Sequence, residues 1–127
     1  MKKQCFIAAA LAAITWLGAS ANAQTAAYSA KSSTPYGAAA NNAGLNIGQS
    51  FTVAGTNIQV LSLGVYDHAG DGLMATHDVI LFSNQTVIAS VTVPAGTSAN
   101  LKNGFRYMAL PSPIILSPGT YAVVAYQ

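Results

Sequence analysis

From Gly48 onward the chain is written in short runs of Val, Ile, Tyr and Phe, each ended by a turn signal, and this alternation constrains its fold more than anything else. Gln49 to Val53 is one run, turned by Ala54-Gly55-Thr56-Asn57. Ile58 to Asp67 follows, with Leu61, Leu63 and Val65 expected on one face and Val60 and Tyr66 on the other. Asp78 to Ser83 and Thr86 to Val93 are joined by Asn84-Gln85, which reads as a tight turn. In the second of these, Val87, Ala89, Val91 and Val93 alternate with Ile88, Ser90 and Thr92, the period of two that a strand requires. Pro94-Ala95-Gly96 breaks that run, and Asn103-Gly104 precedes Phe105 to Leu110. Pro111 and Pro113 bracket a bend before the short run Ile114 to Leu116. Pro118-Gly119 fits the central positions of a type II turn, the second of which needs positive φ, and Thr120 to Tyr126 is the final run. No helix period occurs after Leu17. About six or seven strands at this spacing predict an all-β fold, an antiparallel sandwich of jelly-roll or Ig-like type, over residues 47–127. The last apolar run stops one residue before the sequence does, so the sandwich is expected to be incomplete at its C-terminus.

The N-terminal residues follow a different rule. Lys2 and Lys3 precede an apolar stretch of 13 residues, Cys5 to Leu17, and Ala21-Asn22-Ala23 matches an A-x-A cleavage site. That order is the signature of a signal peptide over residues 1–23, helical and cleaved after Ala23, and it predicts a secreted or envelope protein. Thirteen residues fall short of the roughly 20 needed to cross a bilayer, so no membrane span is expected after cleavage. Residues 24–46, rich in Ala, Ser, Asn and Gly without a clear period, read as a linker or loosely held segment with one edge strand near Tyr28.

Charge excludes whole classes of partner. Only 6% of the chain is charged, against roughly 25% in an average soluble domain. Removing 23 residues from 127 leaves 104, in which Lys31, Lys102 and Arg106 balance Asp67, Asp71 and Asp78. Phosphate-backbone binding has almost nothing to work with, so nucleic acid is not expected as a partner. The single Cys and single Trp both leave with residues 1–23, so export brings no disulfide framework.

The polar chemistry is gathered in one place. All three acids and both histidines lie between Asp67 and Asp78, in a segment expected to be a loop at one end of the sandwich. Three readings compete for it. Asp67, Asp71 and Asp78 with loop carbonyls form a candidate Ca²⁺ site, since a hard cation takes oxygen ligands on Gly-containing turns, although the spacing is not that of a helix-loop-helix calcium site. Acid–base chemistry by the same groups would make a hydrolase, but no G-x-S-x-G, no Glu and no mature Cys supplies a partner. The plain alternative is turn chemistry, with Asp accepting backbone N–H groups and Gly70 and Gly72 supplying positive φ. His77 beside Asp78, and Arg106 between Phe105 and Tyr107, are candidate contributors to a sugar- or partner-binding surface. Asn84-Gln85-Thr86 matches a glycosylation sequon, which is usually idle in bacteria.

Several of these pieces resemble secreted bacterial proteins of the PEP-CTERM, exosortase-sorted type. They are Leu63-Gly64-Val65-Tyr66-Asp67, Gly70-Asp71-Gly72-Leu73, His77, Gly104-Phe105-Arg106-Tyr107 and Pro118-Gly119-Thr120-Tyr121, within a likeness covering about Gly44 to Gln127. Members of that group typically continue into a Pro-Glu-Pro motif, an apolar helix and a basic tail; this sequence has none, which fits a C-terminally truncated chain. The resemblance implies export, a β-sandwich of no assigned function, and a role in the envelope or extracellular matrix with polysaccharide or matrix proteins as partners. It implies no enzyme. A Ca²⁺-stabilised carbohydrate-binding module is the alternative.

Overall fold

The structure, a computed structural model, describes residues 46–127 together with the backbone of residues 7–8 and 12–15. Nine strands are present among the described residues: β1 (Ile7–Ala8), β2 (Ala12–Thr15), β3 (Ile47–Val53), β4 (Ile58–Tyr66), β5 (His77–Ser83), β6 (Thr86–Val93), β7 (Asn100–Lys102), β8 (Phe105–Leu116) and β9 (Gly119–Tyr126). They form two antiparallel sheets, one ordered β1-β2-β4-β8-β7 and the other β3-β9-β5-β6. The sheets pack face to face, and the expected all-β sandwich is what the chain forms. The core between them is aliphatic: Val60, Leu63 and Val65 from β4 meet Val79, Leu81, Val93 and Val123 from the second sheet. Each fully buried side chain of that size is worth roughly 1.5–3 kcal/mol, so a core of this kind holds the sheets together without a disulfide.

The turns follow from residues that accept unusual φ. Asn84 and Gln85 both have positive φ (47° and 68°), as do Asn103 and Gly104 (51° and 82°), which is the primed geometry that closes two-residue hairpins. Three sequence expectations need correction. Gly119 does not have positive φ; it is the first residue of β9, opposite Val53, so Pro118-Gly119 is not a type II turn. Val60 does not face away from Leu63 and Val65. A register shift between Val60 and Ser62 turns β4 by one residue, so Ile58 and Val60 join Leu63 and Val65 in the core. Pro111 and Pro113 do not divide β8; the strand runs on through them, and the register shift takes up the extra residues. β7, only three residues long, was not foreseen as a strand.

The expected signal peptide, its cleavage after Ala23 and the linker reading lie outside the described residues, apart from β1 and β2. Those two pieces are extended rather than helical, and β2 pairs with β4 along Ser62 to Val65. The physical reason is the edge of β4, which offers unpaired backbone groups to any extended neighbour.

Candidate functional site

Asp67 is the first residue past β4, and its backbone N–H donates to the Gly104 carbonyl at 2.8 Å. The chain then makes a single 3-10 turn, His68–Gly70, in which Ala69 takes positive φ (65°). Gly70 (71°) and Gly72 (118°) take positive φ as the sequence predicts. At Gly72 a side chain would also press on the backbone of Gly96 at 3.1 Å. This coil folds back so that Leu73 and Gly96 exchange backbone hydrogen bonds of 3.1 and 2.8 Å.

Into the space so formed projects Arg106 of β8. Its Nε donates to Asp67 Oδ2 at 2.7 Å, and both side chains are almost fully buried. Nη1 donates to the Thr97 and Ala99 carbonyls, each at 3.0 Å, and Nη2 to the Gly70 carbonyl at 3.0 Å. Asp67 in turn accepts the Gly72 N–H, 3.1 Å from Oδ2 and 3.3 Å from Oδ1. A guanidinium is a planar fork of donors, and here it laces two loops and a strand end into one unit. The geometry gives Asp67 a scaffolding role, with its carboxylate held by protein donors.

The other two acids stand apart from it. Asp71 is exposed, and Asp78 lies not in the loop but on β5, where its Oδ1 accepts from Thr92 Oγ1 at 2.7 Å. Among the described residues, no group of three or more His, Cys, Asp or Glu side chains is arranged to hold a metal ion.

His77 opens β5, buried, and its Nδ1–H donates to the Ala75 carbonyl at 2.8 Å. Burial lowers its pKa below 6.5, with the Ala75 carbonyl acting weakly in the opposite sense. Phe105 and Tyr107 share one face of β8, opposite Tyr66 and Gly64 of β4, whereas Arg106 points to the other face. His77, Phe105, Arg106 and Tyr107 are all buried, and they belong to different faces and sheets, so they do not make one open ligand surface. The alternation of β8 is the reason: residues one apart cannot share a face.

Phe105 and Tyr66 meet edge to face with centroids 5.6 Å apart, and Phe105 and Tyr107 lie 6.2 Å apart. Gly64 makes room for this cluster, because a Cβ there would come within 2.6 Å of the Tyr107 ring and 2.7 Å of the Arg106 carbonyl. The Tyr107 hydroxyl is buried with no hydrogen-bond partner among the described residues, and burial drives its pKa upward. A groove of about 510 Å³ is lined by Asp78, Ile80, Ser90 and Thr92 of the second sheet together with Met108 and Pro111 of β8 in the first.

The Asp67–Arg106 pair was not foreseen, since 39 residues separate its members. One signal was available: Arg106 is the chain's single arginine, placed in an otherwise apolar strand between two aromatics, and a buried cation requires an anion. No family model, no curated protein and no solved structure matches this chain.

Proposed function

We propose that this chain is an exported, non-catalytic β-sandwich module that does structural or binding work in the envelope or extracellular matrix of a bacterium. The observation that carries the reading is the hub itself. Two of the residues that the sequence offers for a binding site, the carboxylate of Asp67 and the guanidinium of Arg106, are bonded to each other and to loop backbone. Meanwhile large apolar side chains stand in the open: Val87, Ile115 and Met74 are more than half exposed. A surface of that kind suits contact with another surface better than turnover of a small substrate. The export half of the reading rests on Lys2-Lys3, the apolar stretch to Leu17 and Ala21-Asn22-Ala23.

The test is to secrete the full-length chain from a bacterium and ask whether it co-sediments with insoluble polysaccharide and with envelope fractions. Retention on either supports the module. A processed protein that stays strictly monomeric and binds neither overturns it. Glycan binding that vanishes with a chelator would replace it with a Ca²⁺-steadied carbohydrate-binding module.

A further inference from the structure

The two ends of the second sheet differ. β3 exposes no large apolar side chain, whereas β6, at the other end, is an edge strand without the usual defences. Over Thr86–Val93 it has no charge, no proline and no glycine, and Thr86, Val87, Ile88, Ser90 and Thr92 are exposed. Val, Ile and Thr supply six of its eight residues, the composition that takes most readily to strand pairing.

Beside β6, across the side of the sandwich, runs β8. β7 pairs only with Phe105–Tyr107, so from Met108 onward no described strand covers that flank of β8. Two grooves lie between β6 and β8. One, of about 510 Å³, reaches Ser90, Thr92, Met108 and Pro111; the other, of about 270 Å³, reaches Ile88, Ile114 and Ile115. Of the six large apolar side chains exposed among the described residues, four (Val87, Ile88, Met108 and Ile115) belong to these two strands. Apolar surface gathered on one side in this way marks a contact.

What fits there must bring an undefended strand edge, apolar side chains and little charge, and this chain brings all three. The ladder of β6 with β5 is regular from Ala89 to Val93 and slips at Ile88, which has no partner. A two-fold axis through Val91 pairs that regular stretch with itself, setting Ala89 opposite Val93 and Ser90 opposite Thr92 of the second copy. Ala89, Val91 and Val93 then continue the inner face across the junction, and Ser90 and Thr92 the outer one. Ser opposite Thr is a favourable cross-strand pair. Like charges do not meet: Asp78, beside Thr92, lies roughly 16 Å from its counterpart at ordinary strand spacings, beyond a Debye length of about 8 Å.

We propose that β6 is a self-pairing edge, through which two copies of this chain join antiparallel about a two-fold axis at Val91. The two four-stranded sheets become one of eight, bordered by Val87, Ile88, Met108 and Ile115. A two-fold contact closes on itself, so the assembly stops at two. The pair forms whether or not residues 1–23 are removed and is therefore independent of export.

The experiment uses the full-length chain with Cys5→Ala, which removes its single cysteine. Five residue pairs make a small interface, so a dissociation constant of roughly 10–100 μM is expected. Sedimentation equilibrium across that range should show monomer passing to dimer and no further. Ser90→Lys places a charge in the junction and should weaken pairing by at least about tenfold, while the melt of dilute protein stays unchanged. Ser90→Cys and Thr92→Cys chains, mixed and oxidised, should cross-link to each other, because Cα atoms directly opposite lie about 4.5–5.5 Å apart. Ser90→Cys alone should not, since that diagonal pair is about 7–8 Å apart. A chain monomeric throughout, a dimer indifferent to Ser90→Lys, growth beyond two copies, or cross-linking by Ser90→Cys alone would each overturn the proposal. So would a monomer whose retention on envelope fractions is lost with Ser90→Lys, which assigns the edge to a foreign strand. If Ser90→Lys unfolds the protein, the cysteine mixture decides.

Discussion

Arg106 and Tyr107 are neighbours in β8, buried to the same degree at 5% and 6%, and treated in opposite ways. Arg106 turns inward to the end of the sandwich and donates to a carboxylate and three carbonyls. Tyr107 turns outward over Gly64, and its hydroxyl meets no acceptor among the described residues. Burial alone therefore says little about how a polar group is served. The inward side is a finished piece of structure, in which residues far apart in sequence complete each other. The outward side carries a buried polar atom that no described residue serves.

The sharpest way to break this comparison is at the inward side. Asp67→Ala leaves a guanidinium buried without its anion and should cost about 3–5 kcal/mol, more than most single substitutions. At roughly 4–8 °C per kcal/mol for a domain of this size, the loss is plain in a thermal melt followed by circular dichroism. A drop of only a few degrees would mean that the pair is solvated and the hub is not what holds the loops. Gly64→Ala tests the outward side through sterics. Its Cβ would sit 2.6 Å from the Tyr107 ring and 2.7 Å from a backbone oxygen that cannot swing aside, so about 1–3 kcal/mol should be lost. Pairing it with Tyr107→Leu should recover only part of that, because the Arg106 carbonyl remains.

His77 adds a pH arm. Its pKa is lowered in the folded protein, chiefly by burial, so the unfolded chain binds the proton more readily. Stability is then fully present above about pH 6.5 and is lost as pH falls below it, with a slope no steeper than about 1.4 kcal/mol per unit for one proton. Denaturant titrations between pH 7.5 and 5.5 should show this decline in the wild type and not in His77→Asn; equal slopes would return the effect to other groups. The smallest effect is expected from Tyr107→Phe. Removing a buried hydroxyl that has no partner should leave stability unchanged or raise it by up to about 1 kcal/mol. A loss above that would show that the hydroxyl is bonded in solution, and would erase the contrast with Arg106.

Much of the fold was legible because strands announce themselves locally. Thr86 to Val93 and Asn84-Gln85 carry their period and turn chemistry within ten residues, and both are found where expected. β4 shows the limit of such reading. Val60, Leu61 and Leu63 are all apolar, so nothing in the pattern marks where the shift between Val60 and Ser62 exchanges one face for the other. The loop chemistry was read correctly at Gly70 and Gly72 for the same local reason. Asp67 was harder, because an acid in a Gly-rich loop looks the same whether it awaits a cation from solution or an arginine from a strand 39 residues away.

The spacing of Arg106's partners also bears on time. Two of its acceptors, Ala99 and Thr97, lie 7 and 9 residues away; the other two, Gly70 and Asp67, lie 36 and 39 away. The distant pair can form only after long loops have closed, which places them late in folding. Contacts made after the transition state slow unfolding without hastening folding. The expectation is that Asp67→Ala steepens the loss of native protein chiefly through its unfolding rate, with refolding little changed. If the chain is exported as proposed, beyond chaperones and resynthesis on the spot, that rate is its lifetime among proteases. The hub is, in that sense, a clock as much as a brace.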